Sequence, residues 1–149
     1  MLIRITRLRD DVALPCYATD GSAAFDLAPA ETVAVPAQQT VLAPTGLVIQ
    51  TPLGYALIIA PRSSLFRKKG LRLGNTVGII DQDFCGPQDE LFISLWNPTD
   101  ETVTVEKGER IAQGMFVAIA RADWDEGPAT ARSRGGLGST GGYTGDGSR

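Results

Sequence analysis

The sequence predicts an all-β domain made of many short strands. The chain has 149 residues, the size of a single domain. Residues 32–61 carry no charge, but proline, glycine, threonine and glutamine interrupt them every few positions, which argues against a membrane helix. Short extended runs separated by turn signals indicate a sandwich, a jelly roll or a barrel.

The predicted strands follow one another along most of the chain. The first lies within residues 1–10, where apolar and charged residues alternate without the apolar core of a signal peptide. The others are expected at Thr32–Val35, Gln39–Ala43, Gly46–Gln50, Gly54–Ala60, Leu71–Ile80, Leu91–Trp96, Thr102–Val105 and Met115–Arg121.

Two segments depart from the strand pattern. Between Arg62 and Gly70, a serine at a possible N-cap and a glycine at the far end predict a short helix. Residues 127–149 hold eight of the seventeen glycines and almost no large apolar residues. We therefore expect a β domain over residues 1–126 and a C-terminal arm over residues 127–149 that is mobile on its own.

Composition excludes several classes of function. The formal net charge of -3 argues against a nucleic-acid binder. The chain has no histidine, which excludes histidine general bases and the common histidine zinc sites, so catalysis would use carboxylates or a bound metal ion. Two distant cysteines, Cys16 and Cys85, cannot form a Cys-only zinc site or a Cys-x-x-Cys redox pair, and they fit a reduced cytoplasmic protein best.

Three segments could carry chemistry, and each also has a plain structural interpretation. The run from Gly74 to Phe84 ends in Asp81 and Asp83; it predicts a side-chain-poor slot beside an acid, although alone it is more often a buried strand entering a turn. Serines and cations in Pro61–Gly70 favour a bound phosphate or, equally, cap a surface helix. Arg132–Gly141 could fold over phosphates, although such a stretch alone is more often a disordered tail.

Taken in order, five segments resemble the motifs of the trimeric dUTP pyrophosphatase (dUTPase) family. They are Gly21–Leu27, Pro61–Gly70, Gly74–Gly86, Lys107–Gln113 and Arg132–Gly141. The resemblance implies a jelly-roll-like β-clip subunit in a homotrimer, with active sites at the subunit interfaces. It also implies hydrolysis of dUTP to dUMP and pyrophosphate with Mg²⁺ on the triphosphate, which limits uracil in DNA and supplies dUMP.

The resemblance further implies roles for residues of the third motif. Asp81 would position and activate the water that attacks the α-phosphorus. Asn75 and the hairpin backbone, including Gly78 and Ile80, would read uracil in a slot too tight for the methyl group of thymine. Phe84 takes the position of the usual tyrosine, whose ring packs against deoxyribose.

The remaining motifs would hold the phosphates and cover the nucleotide. The phosphate contacts implied are Arg62, Ser63, Ser64, Gln113 and, for the γ-phosphate, Arg132. Asp26 would act on the metal through water. In the arm, Leu137 stands where the family usually has a phenylalanine over uracil, and Gly138 and Ser139 belong to the same substrate contact.

Two alternatives remain open. The related dCTP deaminases share the fold and the Arg-Ser-Ser motif, but their catalytic glutamate is replaced here by Ser94, three residues before Asn97. A non-catalytic trimeric module that binds nucleotide is the other alternative, and the intact Asp81 argues against it.

Overall fold

The computed structural model describes residues 1–133, which form strands and one short helix. In chain order these elements are β1 (Ile5–Arg7), β2 (Phe25–Leu27), β3 (Val33–Val35), β4 (Thr40–Pro44), β5 (Leu47–Ile49), β6 (Tyr55–Pro61), α1 (Leu65–Lys69), β7 (Arg72–Leu73), β8 (Gly78–Ile80), β9 (Phe92–Trp96), β10 (Val103–Val105) and β11 (Ala112–Ala118). The all-β prediction is confirmed. Most of the predicted arm lies outside the described residues.

The strands pair in an antiparallel manner in four small sheets. The largest has the order β2-β11-β6-β8, a second has the order β4-β9-β7, and β1-β5 and β10-β3 form two-stranded sheets. Apolar side chains from these sheets meet in one core, since one face of each short strand must be buried. Among its most buried members are Leu27, Val35, Ile49, Leu57, Ile93 and Leu95.

The short helix lies where the serine and glycine signals predict it. Leu65 is buried and anchors α1 to the core. Gly70 ends the helix with a φ of 70°, a left-handed conformation that suits glycine, and its N–H donates to the carbonyl oxygen of Phe66 at 2.8 Å. The hydroxyl of Ser64 makes no capping hydrogen bond, so the serine precedes the helix without capping it.

The single strand predicted over Leu71–Ile80 is wrong. The segment forms β7 and β8, which pair with β9 and β6 respectively in different sheets. The turn between them places Thr76 at a φ of 63° and is closed by its N–H, which donates to the carbonyl oxygen of Leu73 at 3.2 Å. β-Branched residues favour extended backbone, but contacts with two different partner strands decided where the chain turns.

Two further strands, β2 and β11, differ from the sequence predictions. Strand β2 was not predicted, because three residues are too few to show a period of two. The final strand begins at Ala112 rather than Met115 and ends at Ala118 rather than Arg121, since its pairing with β6 runs the full length of that strand. No helix within residues 1–133 is long and apolar enough to span a membrane.

Candidate active site

Three of the predicted phosphate-site segments meet at one end of the largest sheet. Strand β11 lies between β2 and β6, so Gln113 is directly opposite Asp26. The Gln113 side chain donates from Nε2 to the carbonyl oxygen of Pro61 at 3.1 Å. Arg62 follows β6, and its N–H donates to the carbonyl oxygen of Ile111 at 3.1 Å. Strand pairing therefore brings Asp26, Arg62 and Gln113 together.

Asp26 is held between two arginines. Its Oδ1 lies 3.1 Å from Nε of Arg62, and its Oδ2 lies 3.1 Å from Nη1 of Arg110. The Asp26 side chain is only 10% exposed, whereas those of Arg62 and Arg110 are 30% and 53% exposed. Because two arginines face one carboxylate, the three side chains together carry a net positive charge. This charge favours the binding of an anion.

A cavity of about 200 Å³ lies beside these arginines. Its polar lining includes Arg62, Ser64, Lys68, Lys69, Glu109 and Arg110. Lys69 is already paired, since its Nζ lies 2.9 Å from a carboxylate oxygen of Glu109. The other cations and the Ser64 hydroxyl make the cavity suitable for phosphate oxygens.

The hairpin between β7 and β8 forms a second cluster. Gly78 is paired with Ile59 of β6, and a Cβ on Gly78 would lie 3.2 Å from Cβ of Ile59 and 3.5 Å from Nδ2 of Asn75. The carbonyl oxygen of Asn75 accepts a hydrogen bond from the N–H of Val77 at 2.6 Å. The Asn75 amide is thus next to a backbone surface without a side chain, as a slot for a flat ring requires.

Asp81 directly follows β8 and is exposed to solvent. Its carbonyl oxygen accepts a hydrogen bond from the N–H of Phe84 at 3.4 Å, so the carboxylate and the aromatic ring are carried on one turn. Nε2 of Gln82 anchors this turn by donating to the carbonyl oxygen of Tyr55 at 3.3 Å. A positioned, water-accessible carboxylate can serve as a general base.

Within one chain, Asp81 and the arginines lie towards opposite ends of β6. Ile80 is paired with Leu57 near the start of β6, and Asp81 comes just after Ile80, whereas Arg62 follows the end of β6. A strand rises about 3.3 Å per residue, which places Arg62 about 17 Å along the sheet from Leu57. One chain therefore does not bring Asp81 to the arginines.

The remaining predicted residues are more dispersed. Ser63 is exposed between β6 and α1, and Arg132 is exposed in the irregular segment after β11. Leu137, Gly138 and Ser139 lie outside the described residues. Sequence reasoning missed Arg110: it belongs to the fourth motif segment, but only its contact with Asp26 singles it out.

The fold and these two clusters define the class of protein. Arginines and hydroxyl groups are suited to binding a polyphosphate. A hairpin that carries a glycine beside a side-chain amide is suited to binding a flat base. An exposed carboxylate can activate water. Together they describe an enzyme that hydrolyses a nucleotide.

Comparison with known proteins identifies the family. A family model described as dUTPase matches residues 10–141. The chain is 45% identical to the deoxyuridine 5'-triphosphate nucleotidohydrolase of Legionella pneumophila (strain Philadelphia 1) over 93% of both chains, and 44% identical to that of Glaesserella parasuis over 91% of both. The chain therefore belongs to the dUTPase family. It is an enzyme that hydrolyses dUTP, as the resemblance predicted.

Solved structures agree with this assignment. The crystal structure of dUTPase from Streptococcus mutans matches with a TM-score of 0.74 at 38% identity, over 80% of this chain and 98% of that chain. The dUTPase of Staphylococcus bacteriophage 80alpha with dUPNHPP has a TM-score of 0.82, over 94% of this chain and 98% of that chain, but at 23% identity it supports the fold alone. The jelly-roll-like fold is confirmed.

Proposed function

We propose that dUTP is hydrolysed at sites shared between subunits of a homotrimer. One subunit would supply the arginine cluster around Asp26 and the next would supply Asp81. The observation that carries this proposal is the position of Arg62 and Asp81 at opposite ends of β6. Closed cyclic symmetry would complete the site three times, because each subunit then presents both halves.

At such a site, Asp81 would accept a proton from water while the water oxygen attacks the α-phosphorus. The bond between the α-phosphorus and the oxygen bridging to the β-phosphorus breaks, and pyrophosphate leaves with that electron pair. The products are dUMP and pyrophosphate. Asp81 suits this task because it is exposed to water and lies on a turn anchored by Gln82.

The phosphates would be held by charge and hydrogen bonds. Arg62 carries a guanidinium already oriented by Asp26, and Ser64 lines the adjoining cavity. Ser63 and Gln113 would add polar contacts. Arg132 would bind the γ-phosphate from the proposed arm over residues 127–149, which would close over the site of another subunit.

The nucleoside would be selected by the hairpin. The Asn75 amide and the backbone from Gly78 to Ile80 would hydrogen-bond the polar edge of uracil. Glycine at position 78 lets the hairpin lie close to β6, where a Cβ would be 3.2 Å from Cβ of Ile59. Phe84 would pack against deoxyribose and leave no room for a ribose 2′-hydroxyl. The arm residues Leu137, Gly138 and Ser139 would cover the nucleotide.

Mg²⁺ would accompany the triphosphate. Among residues 1–133, no group of three or more histidine, cysteine or acidic side chains could hold a metal ion, and both oxygens of Asp26 are paired with arginines. Mg²⁺ commonly keeps several waters and binds substrate phosphates with one or two carboxylates. Asp26 would therefore meet such an ion only through water, and the ion would neutralise phosphate charge there.

We also place the enzyme in the cytoplasm. Both cysteines, Cys16 and Cys85, are free thiols. Unpaired thiols suit a reducing compartment, where disulfides are rare.

A substrate panel tests the activity. With Mg²⁺ present, we expect pyrophosphate release from dUTP and none from UTP, dTTP or dCTP, because the hairpin and Phe84 exclude a methyl group, a 2′-hydroxyl and an exocyclic amine. Ammonia release from dCTP would instead support the deaminase alternative. Binding of a non-hydrolysable dUTP analogue without pyrophosphate release from dUTP would support the non-catalytic module.

Subunit mixing tests the shared site. Arg62→Ala and Asp81→Asn should each be nearly inactive alone. After the two variants are dissociated and reassembled in equal amounts, about a quarter of wild-type activity should return, because random pairing in a closed ring joins intact Arg62 to intact Asp81 in that fraction of sites.

The control for subunit mixing is the same mixture without the dissociation step, with light scattering to report the oligomer. If each site lay within one chain, every chain in the mixture would carry a lesion. Activity that stays at the level of the single variants after exchange is complete would thus rule out a shared site.

A further inference from the structure

We propose that Arg110 is a second arginine that binds the phosphates of the substrate beside Arg62, an inference that rests on the proposed function of this site. Arg110 uses Nη1 to contact Oδ2 of Asp26 at 3.1 Å, yet its side chain remains 53% exposed. Its Nε and Nη2 groups have no hydrogen-bond partner within residues 1–133. Arginine has five N–H donors in a planar fork, so most of this fork is available to a ligand.

Two other cations of the cavity, Arg62 and Lys69, are more fully engaged than Arg110. Nε of Arg62 contacts Asp26, and its Nη1 donates to the carbonyl oxygen of Arg110 at 3.4 Å. Nζ of Lys69 contacts Glu109 and donates to the carbonyl oxygen of Thr104, each at 2.9 Å. A triphosphate carries several negative charges, and Arg110 supplies charge that these residues do not.

The position of Arg110 is also fixed before any ligand arrives. The guanidinium groups of Arg110 and Arg62 each contact one oxygen of the Asp26 carboxylate. The Asp26 side chain is 10% exposed. The main chain links the two arginines as well, because the N–H of Arg62 donates to the carbonyl oxygen of Ile111, the residue next to Arg110. An arginine held in this way loses little freedom when it binds phosphate, which increases the net gain on binding.

The test compares ligands with different numbers of phosphates. For Arg110→Ala, we expect the affinity for the non-hydrolysable analogue α,β-imido-dUTP with Mg²⁺ to fall about 10- to 100-fold, the loss typical of charged hydrogen bonds. The affinity for dUMP, measured by the same calorimetry, should change far less. KM for dUTP should rise more than kcat falls, because binding of the phosphates precedes the attack on the α-phosphorus.

Two further variants separate ligand binding from folding. Arg110→Lys keeps a charge beside Asp26 but loses the fork, so it should show an intermediate loss for the imido analogue and a melting temperature close to that of the wild type. Arg9→Ala is the matched control, because it also breaks an exposed arginine–carboxylate pair, from Nη1 of Arg9 to Glu31 at 2.9 Å. It should leave both affinities unchanged.

An equal loss of affinity for dUMP and for the imido analogue in Arg110→Lys would assign Arg110 a purely structural role and overturn the proposal. Unchanged affinity for the imido analogue in both Arg110 variants would overturn it as well. A failure of the proposed function is distinguishable, since the wild-type enzyme would then fail to release pyrophosphate from dUTP.

Discussion

Replacing Asp81 with asparagine should lower kcat for dUTP about 10²- to 10⁴-fold, the usual contribution of a positioned general base. Asparagine keeps the size of the side chain and its hydrogen-bonding ability but cannot accept the proton of the attacking water. Because Asp81 is exposed on the turn after β8, the substitution should leave the fold intact. Pyrophosphate release under saturating dUTP, alongside thermal unfolding, measures both effects.

Asp83→Asn is the matched control for this experiment. Asp83 is an exposed carboxylate two residues away and on the same segment, and no role is proposed for it. Its variant should turn over dUTP at close to the wild-type rate. Near-normal turnover by Asp81→Asn would remove Asp81 from the mechanism, and an equal loss in both variants would point to the charge of the segment rather than to one base.

Replacing Arg62 with alanine should lower kcat/KM for dUTP about 10²- to 10³-fold, the scale of losing one partner of a desolvated charge pair. The loss has two causes: the phosphates lose an oriented guanidinium, and the Asp26 carboxylate keeps only one of its two cations. Initial rates over a range of dUTP concentrations measure it.

A double-mutant cycle extends this prediction. Since Arg62 and Asp26 lie 3.1 Å apart, Arg62→Ala and Asp26→Asn should be non-additive, with the double variant less impaired than the product of the single effects. Arg67→Ala is the control, because Arg67 is an exposed cation of α1. Independent effects of Arg62 and Asp26 would show that their ion pair does not matter for catalysis.

Much of the fold was predictable because its signals are local. The short helix was predicted from a serine and a glycine; Gly70 does end it with a left-handed backbone, whereas Ser64 makes no capping hydrogen bond. The all-β fold class follows from short apolar runs separated by proline and glycine. In contrast, β2 and the break between β7 and β8 depend on which strands they pair with, and such long-range pairing leaves no periodic pattern in two or three residues.

The candidate site was likewise predictable from the sequence only in part. The resemblance to the dUTPase family implied phosphate binding around Arg62 and a base-reading hairpin ending in Asp81, and both stay predictions. The ion pair between Arg110 and Asp26 could not be predicted, because the two residues are distant in sequence and meet only through the pairing of β2 with β11.

The sequence by itself determined the family and the reaction, because the residue identities and the order of five motifs carry the resemblance to the dUTPase family. Only the tertiary structure decided that β11 lies between β2 and β6, which assembles Asp26, Arg62 and Gln113 at one end of that sheet. It also placed Asp81 at the other end of β6. Strand order and register decide both positions, and they are set by burial of the shared core, which no single segment encodes.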